Sequence, residues 1–229
     1  MPKIICLPFA GASKYAYNQF NNMGVGSLDF IGLDLPGRGM RFNEPLLRSI
    51  DEMTHDLYNQ ILPFTNEPYY LFGHSMGAIL GQRICEKLHE LDKPLPKKLL
   101  LSGRGGPDTE ITHREWHKLP PNDFKKKVFE LGGSPKEVLD NPELMELMEP
   151  ILRADFEAVE TYLYPKINKL DIPVSVYYGS HDKCTKEECE NWQVISDKKI
   201  TLTEISGNHF FIFSNAQQFL NCLKQDIDA

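Results

Sequence analysis

Leu71-Phe72-Gly73-His74-Ser75-Met76-Gly77-Ala78 decides the reading of this chain. An apolar run, Tyr69 to Phe72, leads into it, and a helical pattern, Ala78 to Leu91, leads away. A strand that turns at once into a helix leaves no room for side chains two residues either side of the bend, which accounts for Gly73 and Gly77. Ser75 at the apex is then held in a strained backbone conformation with its hydroxyl above the sheet. The helix that starts there aims its positive N-terminal end, and the N–H of Met76, at the point where an oxyanion would develop. Gly-x-Ser-x-Gly by itself occurs by chance in glycine-containing loops. The strand before and the helix after make it specific.

Working outward, Ile4 to Phe9 reads as a short buried strand ending in Pro8-Phe9-Ala10-Gly11-Ala12. Small residues there let backbone approach a ligand, so the N–H of Ala10 is the expected second oxyanion donor; a plain turn is the alternative. A helix is expected from about Lys14 to Asn22 and a strand from Leu28 to Leu35, stopped by Pro36-Gly37-Arg38-Gly39, with Arg38 and Arg41 on the rim of the sheet. Ser49 caps a helix whose Ile50, Met53, Leu57 and Ile61 repeat at helical spacing. Lys98 to Ser102 is the next strand. This alternation predicts a parallel sheet with helices on both faces.

From Gly105 to about Pro165 the pattern breaks into helical segments: Pro121–Leu131, Pro135–Leu139, Pro142–Leu152 and Phe156–Leu163. A block of this length between two sheet strands is read as a helical lid over the site. Its apolar residues (Trp116, Phe124, Val128, Phe129, Leu131, Leu144, Leu147, Met148, Ile151, Phe156) exceed what one amphipathic face needs, so some are expected to line an acyl cleft. The sheet resumes at Ile172 to Tyr178, continues at Ile200 to Ile205, and a last helix runs from Asn215 to Ile227. The expectation is an α/β-hydrolase fold: a mostly parallel sheet of about six or seven strands flanked by helices, with the core in residues 1–104 and 166–229 and the lid in 105–165.

In this fold the triad runs serine, acid, histidine along the chain. Asp182 follows the strand ending at Gly179-Ser180-His181, and His209 follows the last strand on the loop Ser206-Gly207-Asn208-His209. Asp108, after the preceding strand, is the alternative acid; Asp34 comes before Ser75 and is read as structural. Among seven histidines, His74 points away from its neighbour, His55 and His89 lie on helices, His113 and His117 lie at the start of the lid, and His181 adjoins the acid. The roles follow from the chemistry. Ser75 attacks a carbonyl, His209 takes and returns its proton, Asp182 fixes the imidazole tautomer, and the N–H groups of Met76 and Ala10 hold the oxyanion. Such a route requires no metal and no cofactor. Cys184 and Cys189 lie near His181 and Asp182, but their spacing is wrong for zinc.

A formal net charge of −7 argues against nucleic acid as a partner, since phosphate contacts need a basic surface. No apolar run is long enough to span a bilayer, and Met1-Pro2-Lys3 leads straight into the first strand without the pattern of a signal peptide. Five cysteines without a Cys-x-x-Cys pair point to the reducing cytoplasm, with Cys6, Cys85 and Cys222 as small core residues. No apolar stripe outside the lid stands out, which suggests a monomer.

Four stretches together are more specific than a hydrolase in general: Leu7-Pro8-Phe9-Ala10-Gly11-Ala12, Leu33-Asp34-Leu35-Pro36-Gly37-Arg38-Gly39, Phe72-Gly73-His74-Ser75-Met76-Gly77-Ala78 and Gly207-Asn208-His209-Phe210-Phe211. They resemble the stand-alone type II thioesterases that accompany nonribosomal peptide and polyketide synthases. The lid segments Leu119-Pro120, Leu131-Gly132-Gly133 with Pro135, and Ile151-Leu152-Arg153-Ala154-Asp155-Phe156 share the resemblance. It implies hydrolysis of mis-loaded acyl groups from the phosphopantetheine arm of a carrier protein, with Ser75, Asp182 and His209 as the triad. Two positions depart from that family, Gly11-Ala12 and Gly207-Asn208, where it usually carries paired glycines. The readings left open are a medium-chain fatty acyl thioesterase, a general acyl-CoA or ester hydrolase, and a non-enzymatic binding module on the same fold.

Overall fold

The computed structural model describes residues 1–24, 28–107, 115–132, 141–165 and 167–228. Six strands, β1 (Lys3–Leu7), β2 (Asp29–Gly32), β3 (Tyr69–His74), β4 (Leu99–Ser102), β5 (Val174–Gly179) and β6 (Thr201–Ile205), form one sheet in the order β2-β1-β3-β4-β5-β6. Every pairing is parallel. The order reverses between β1 and β3, and a crevice opens at the C-terminal ends of strands at such a point. Six strands among the described residues agree with the lower of the two expected counts.

β1, β4 and β5 are almost continuously buried because helices cover both faces of the sheet. Alternate residues serve opposite faces. Ile5, Leu7, Leu71, Leu99, Leu101 and Val176 pack with α2 (Ile50–Ile61) and α3 (Met76–Glu90). Ile4, Cys6, Phe72, Leu100 and Tyr177 pack on the other side with Phe20 of α1 (Asn18–Asn22) and with Phe219, Leu220 and Leu223 near the C-terminus. Ser49 caps α2 as its sequence predicts, its hydroxyl accepting from the Glu52 N–H.

The described part of 105–165 contributes helices only: α4 (Pro121–Leu131) and α5 (Pro142–Thr161), with a short turn at Trp116–Lys118. They enclose their own small core of Phe124, Val128, Met145 and Leu152. After β5 come α6 (Lys186–Glu190), α7 (Phe211–Ser214) and α8 (Ala216–Asp228). None of the described helices is long and apolar enough to cross a membrane.

Several expectations need correction. The segments Pro142–Leu152 and Phe156–Leu163 are one helix, Pro142–Thr161, continuous across the expected break between Leu152 and Phe156 as well as through Pro150. An internal proline costs about 3 kcal/mol, but Ile151, Leu152, Ala154 and Ala158 beyond it are buried, and that burial keeps the helix continuous. The second strand is shorter than Leu28 to Leu35. Leu33 still donates to Cys6, after which the chain leaves the sheet although Leu33 and Leu35 remain buried. The first turn of the Lys14 to Asn22 helix is a tighter 3-10 turn. Arg38 is not on the rim. It is 3% exposed and paired with Asp155 of α5, because the loop after β2 turns inward under the lid. The expected helix Pro135–Leu139 lies outside the described residues.

Candidate active site

Ser75 sits at the junction of β3 and α3 with φ 54° and ψ −114°, a conformation that an L-residue adopts only under constraint. The constraint is steric and hydrogen-bonded. A Cβ on Gly73 would lie 2.0 Å from the Gly77 carbonyl oxygen, so strand and helix touch backbone to backbone at the bend. The Ser75 N–H donates to Ser102 O of β4 at 2.8 Å, and Ser75 O accepts from Ala78 N at 3.0 Å.

His209 reaches this point from the loop after β6. Its Nε2 lies 3.1 Å from Ser75 Oγ, and its Nδ1 lies 3.1 and 3.0 Å from the two oxygens of Asp182. The Asp182 side chain is 3% exposed and also accepts the Lys183 N–H at 2.7 Å. The two loops brace each other, since the His181 N–H donates to Gly207 O at 2.8 Å. The three side chains therefore form the hydrogen-bonded sequence that nucleophilic acyl transfer requires: hydroxyl, imidazole, carboxylate.

Above Ser75 opens a cleft of about 260 Å³. Phe9, Ala10, Ser75, Met76 and His209 form its sheet side; Trp116, Val128, Leu131, Leu152, Phe156 and Val159 form its lid side. Of the lid residues named from sequence, Trp116, Val128, Leu131 and Phe156 line the cleft, Phe124 is fully buried in the lid core, and Phe129, Leu144 and Leu147 face solvent. Met76 opens α3, where the first amide groups have no intrahelical acceptor.

The other histidines are engaged elsewhere. His74 is fully buried, its Nδ1 is 2.8 Å from Ser102 Oγ, and burial, with the nearby His209 second, holds its imidazole well below the ordinary value. His117 Nδ1 meets Glu160 at 2.5 Å, and Glu160 also accepts the N–H groups of Trp116 and His117. His55, His89 and His181 are exposed. Asp34 is 4% exposed and accepts the N–H groups of Lys14 and Met40, the structural role expected of it. The alternative acid Asp108, and His113, lie outside the described residues.

Cys6 and Cys85 are buried, and burial pushes both thiols up. Cys184 and Cys189 place their sulfurs 3.2 Å apart, and among the described residues no cluster of His, Cys, Asp and Glu could hold a metal ion. Sequence reasoning missed Asp155, Arg38 and Glu160 as parts of the site's support. Only the charged pair Arg153 and Asp155 within an otherwise apolar stretch of α5 hinted at one of them.

The thioesterase domain family model matches residues 2–227. The gramicidin S biosynthesis protein GrsT of Aneurinibacillus migulanus is 26% identical over 219 residues, covering 95% of this chain and 86% of that protein. The medium-chain S-acyl fatty acid synthase thioesterase of Homo sapiens is 27% identical over 95% of this chain and 83% of its own length. Among solved structures, the type II thioesterase YbtT from the yersiniabactin NRPS/PKS biosynthetic pathway superposes with a TM-score of 0.87 at 28% identity, covering 98% of this chain and 92% of that one.

Proposed function

The chain belongs to the thioesterase domain family and is a thioester hydrolase, and from that premise we propose that it removes acyl groups from the phosphopantetheine arm of carrier proteins, with Ser75, His209 and Asp182 as its catalytic residues. The observation that carries the reading is the His209 imidazole, within hydrogen-bond reach of Ser75 Oγ on one side and of Asp182 on the other, beneath an apolar cleft.

Ser75 Oγ attacks the thioester carbonyl as His209 Nε2 takes the hydroxyl proton. The tetrahedral oxyanion is held by the N–H groups of Met76 and Ala10. Asp182 keeps the Nδ1 proton toward itself and stabilises the imidazolium. Collapse breaks the C–S bond, and the proton on Nε2 passes to the departing phosphopantetheine sulfur. A water molecule, deprotonated by the same nitrogen, then attacks the acyl-serine; the acyl C–Oγ bond breaks, Nε2 returns its proton to Ser75 Oγ, and the carboxylic acid leaves. The route uses neither metal nor cofactor. The apolar lid residues would receive the acyl chain, and the arm of a carrier domain would enter from the open mouth.

Its relatives' association with peptide and polyketide assembly supports removal of mis-primed or stalled acyl units; a cytoplasmic monomer is part of the proposal. A second reading, release of medium-chain fatty acids, is favoured by the human relative and by the apolar lining of the cleft. Hydrolysis of acetyl- or aminoacyl-loaded carrier protein, compared with the same acyl groups and with C8 to C12 chains on coenzyme A, separates them. Much faster turnover on the short-chain carrier substrate, abolished in Ser75→Ala, is expected. Preference for medium chains would select the second reading, and turnover surviving Ser75→Ala would overturn the site.

A further inference from the structure

Phe9 to Ala12 forms a tight turn, closed by the Ala12 N–H donating to Phe9 O at 2.9 Å. Ala10 and Gly11 are its central residues, and Gly11 has φ +80°, as a type II turn requires at that position. The central peptide of such a turn can flip to the type I orientation unless something holds its N–H. Here the holder is remote in sequence. The Gly11 N–H donates to Asp155 Oδ2 at 2.7 Å. Asp155 sits on the lid helix α5 and is fully buried, and Arg38 grips both of its oxygens, Nη1 at 2.6 Å and Nη2 at 2.7 Å. Leu152, one turn earlier on the same helix, presses on the turn so closely that a Cβ on Gly11 would lie 2.7 Å from its Cδ2.

Such a buried, two-pronged ion pair is a poor source of net stability, since two charges have been taken out of water. What it does provide is direction: a carboxylate locked at one place, aimed at one backbone amide. We propose that Asp155 is a positioning residue for hydrolysis: held by Arg38, it anchors the turn at the Gly11 N–H and so fixes the position of Ala10, whose own N–H, on the preceding Phe9–Ala10 peptide, is the second oxyanion donor when the lid helix is seated. This rests on the reading of Ala10 as an oxyanion donor. Lid and catalytic apparatus are then one mechanical unit at this point, not flap and floor.

The test uses Asp155→Asn and Asp155→Ala in the full chain, with working sites counted by stoichiometric phosphonylation of Ser75. Per titrated serine, kcat should fall by between about tenfold and about a hundredfold, the scale of a misplaced catalytic group, while KM stays within about twofold. Affinity for an acyl trifluoromethyl ketone, which forms a tetrahedral adduct, should fall in the same proportion. A merely structural role would reduce the number of titratable sites and leave the turnover of each unchanged, and that result overturns the proposal.

Should the single variants fold poorly, Arg38→Met with Asp155→Leu removes both charges together, a replacement that is often neutral for stability. It should recover thermal stability without recovering kcat; full turnover in that variant would equally overturn the proposal. In the wild type the Gly11 amide proton should resonate downfield of ordinary amides, and a bulk-like position would deny the clamp. Ser75→Ala, run alongside, tells the two levels apart. If it is inactive while the Asp155 variants turn over normally, only this inference fails; if it remains active, the reading of the site fails with it.

Discussion

The rings of His74 and His209 lie 5.0 Å apart with their planes tilted by 46°, the first wholly buried and the second reaching Ser75 Oγ. His74 thus packs beside the ring of His209. Burial, and His209 itself, oppose a charge on it. A folded-state value below the unfolded one means that the unfolded chain takes up this proton first as pH falls. His74 therefore contributes stability that is present above the ordinary histidine value of about 6.5 and is lost progressively as pH drops below it. The melting temperature of the wild type should fall more steeply between about pH 7 and about pH 5 than that of His74→Gln. Equal slopes would remove His74 from the account.

Ser75 carries backbone strain. Its positive φ is of the kind that costs about 1–3 kcal/mol in a non-glycine residue, partly offset in a glycine variant by about 0.5–1 kcal/mol of chain entropy. Ser75→Gly should therefore be inactive yet more stable by about 1 kcal/mol, which for a chain of this size raises the melting point by about 2–4 °C. Calorimetry checks it. A lower melting point would mean that the hydroxyl contributes more than the strain removes.

Asp182 is proposed to act through His209 without touching substrate. Asp182→Asn would present an amide N–H where Nδ1–H now finds a carboxylate, favouring the wrong tautomer. A loss in kcat of about 10⁴ with little change in KM is expected, the scale seen when a triad carboxylate is replaced by its amide. Steady-state kinetics on an acyl-pantetheine substrate decides, and a loss below about tenfold would point to another acid.

Phe124 carries the lid's own core. It is fully buried against Val128, Met145 and Leu152, meets Phe156 edge-on at 5.7 Å, and has the Arg153 guanidinium 4.3 Å from its ring centre. Phe124→Ala should remove about 3–5 kcal/mol from that local packing. Because the lid core is separate from the two clusters flanking the sheet, hydrogen exchange should accelerate in α4 and α5 while β3 and β5 remain protected. Exchange rising everywhere at once would show that lid and sheet open together.

Much of this protein is legible in one dimension because its informative signals are local. Gly73 and Gly77 mark a bend that the residues on either side cannot avoid, the strand-helix alternation dictates a parallel sheet, and the loop positions of Asp182 and His209 bring both to its C-terminal edge. Local chemistry also identifies Ser49 as a cap. The tertiary structure alone decided the rest. The sequence reads as two helices broken between Leu152 and Phe156, and burial of Ala154 and Asp155 in that interval holds them together as one. Arg38 reads as a surface cation, and a lid helix 117 residues away buries it against Asp155. With the Gly11 N–H on the same carboxylate, that pairing joins loops after two different strands to a helix from an inserted block. No spacing along the chain encodes such a contact, because it exists only once the sheet has set the distance between them.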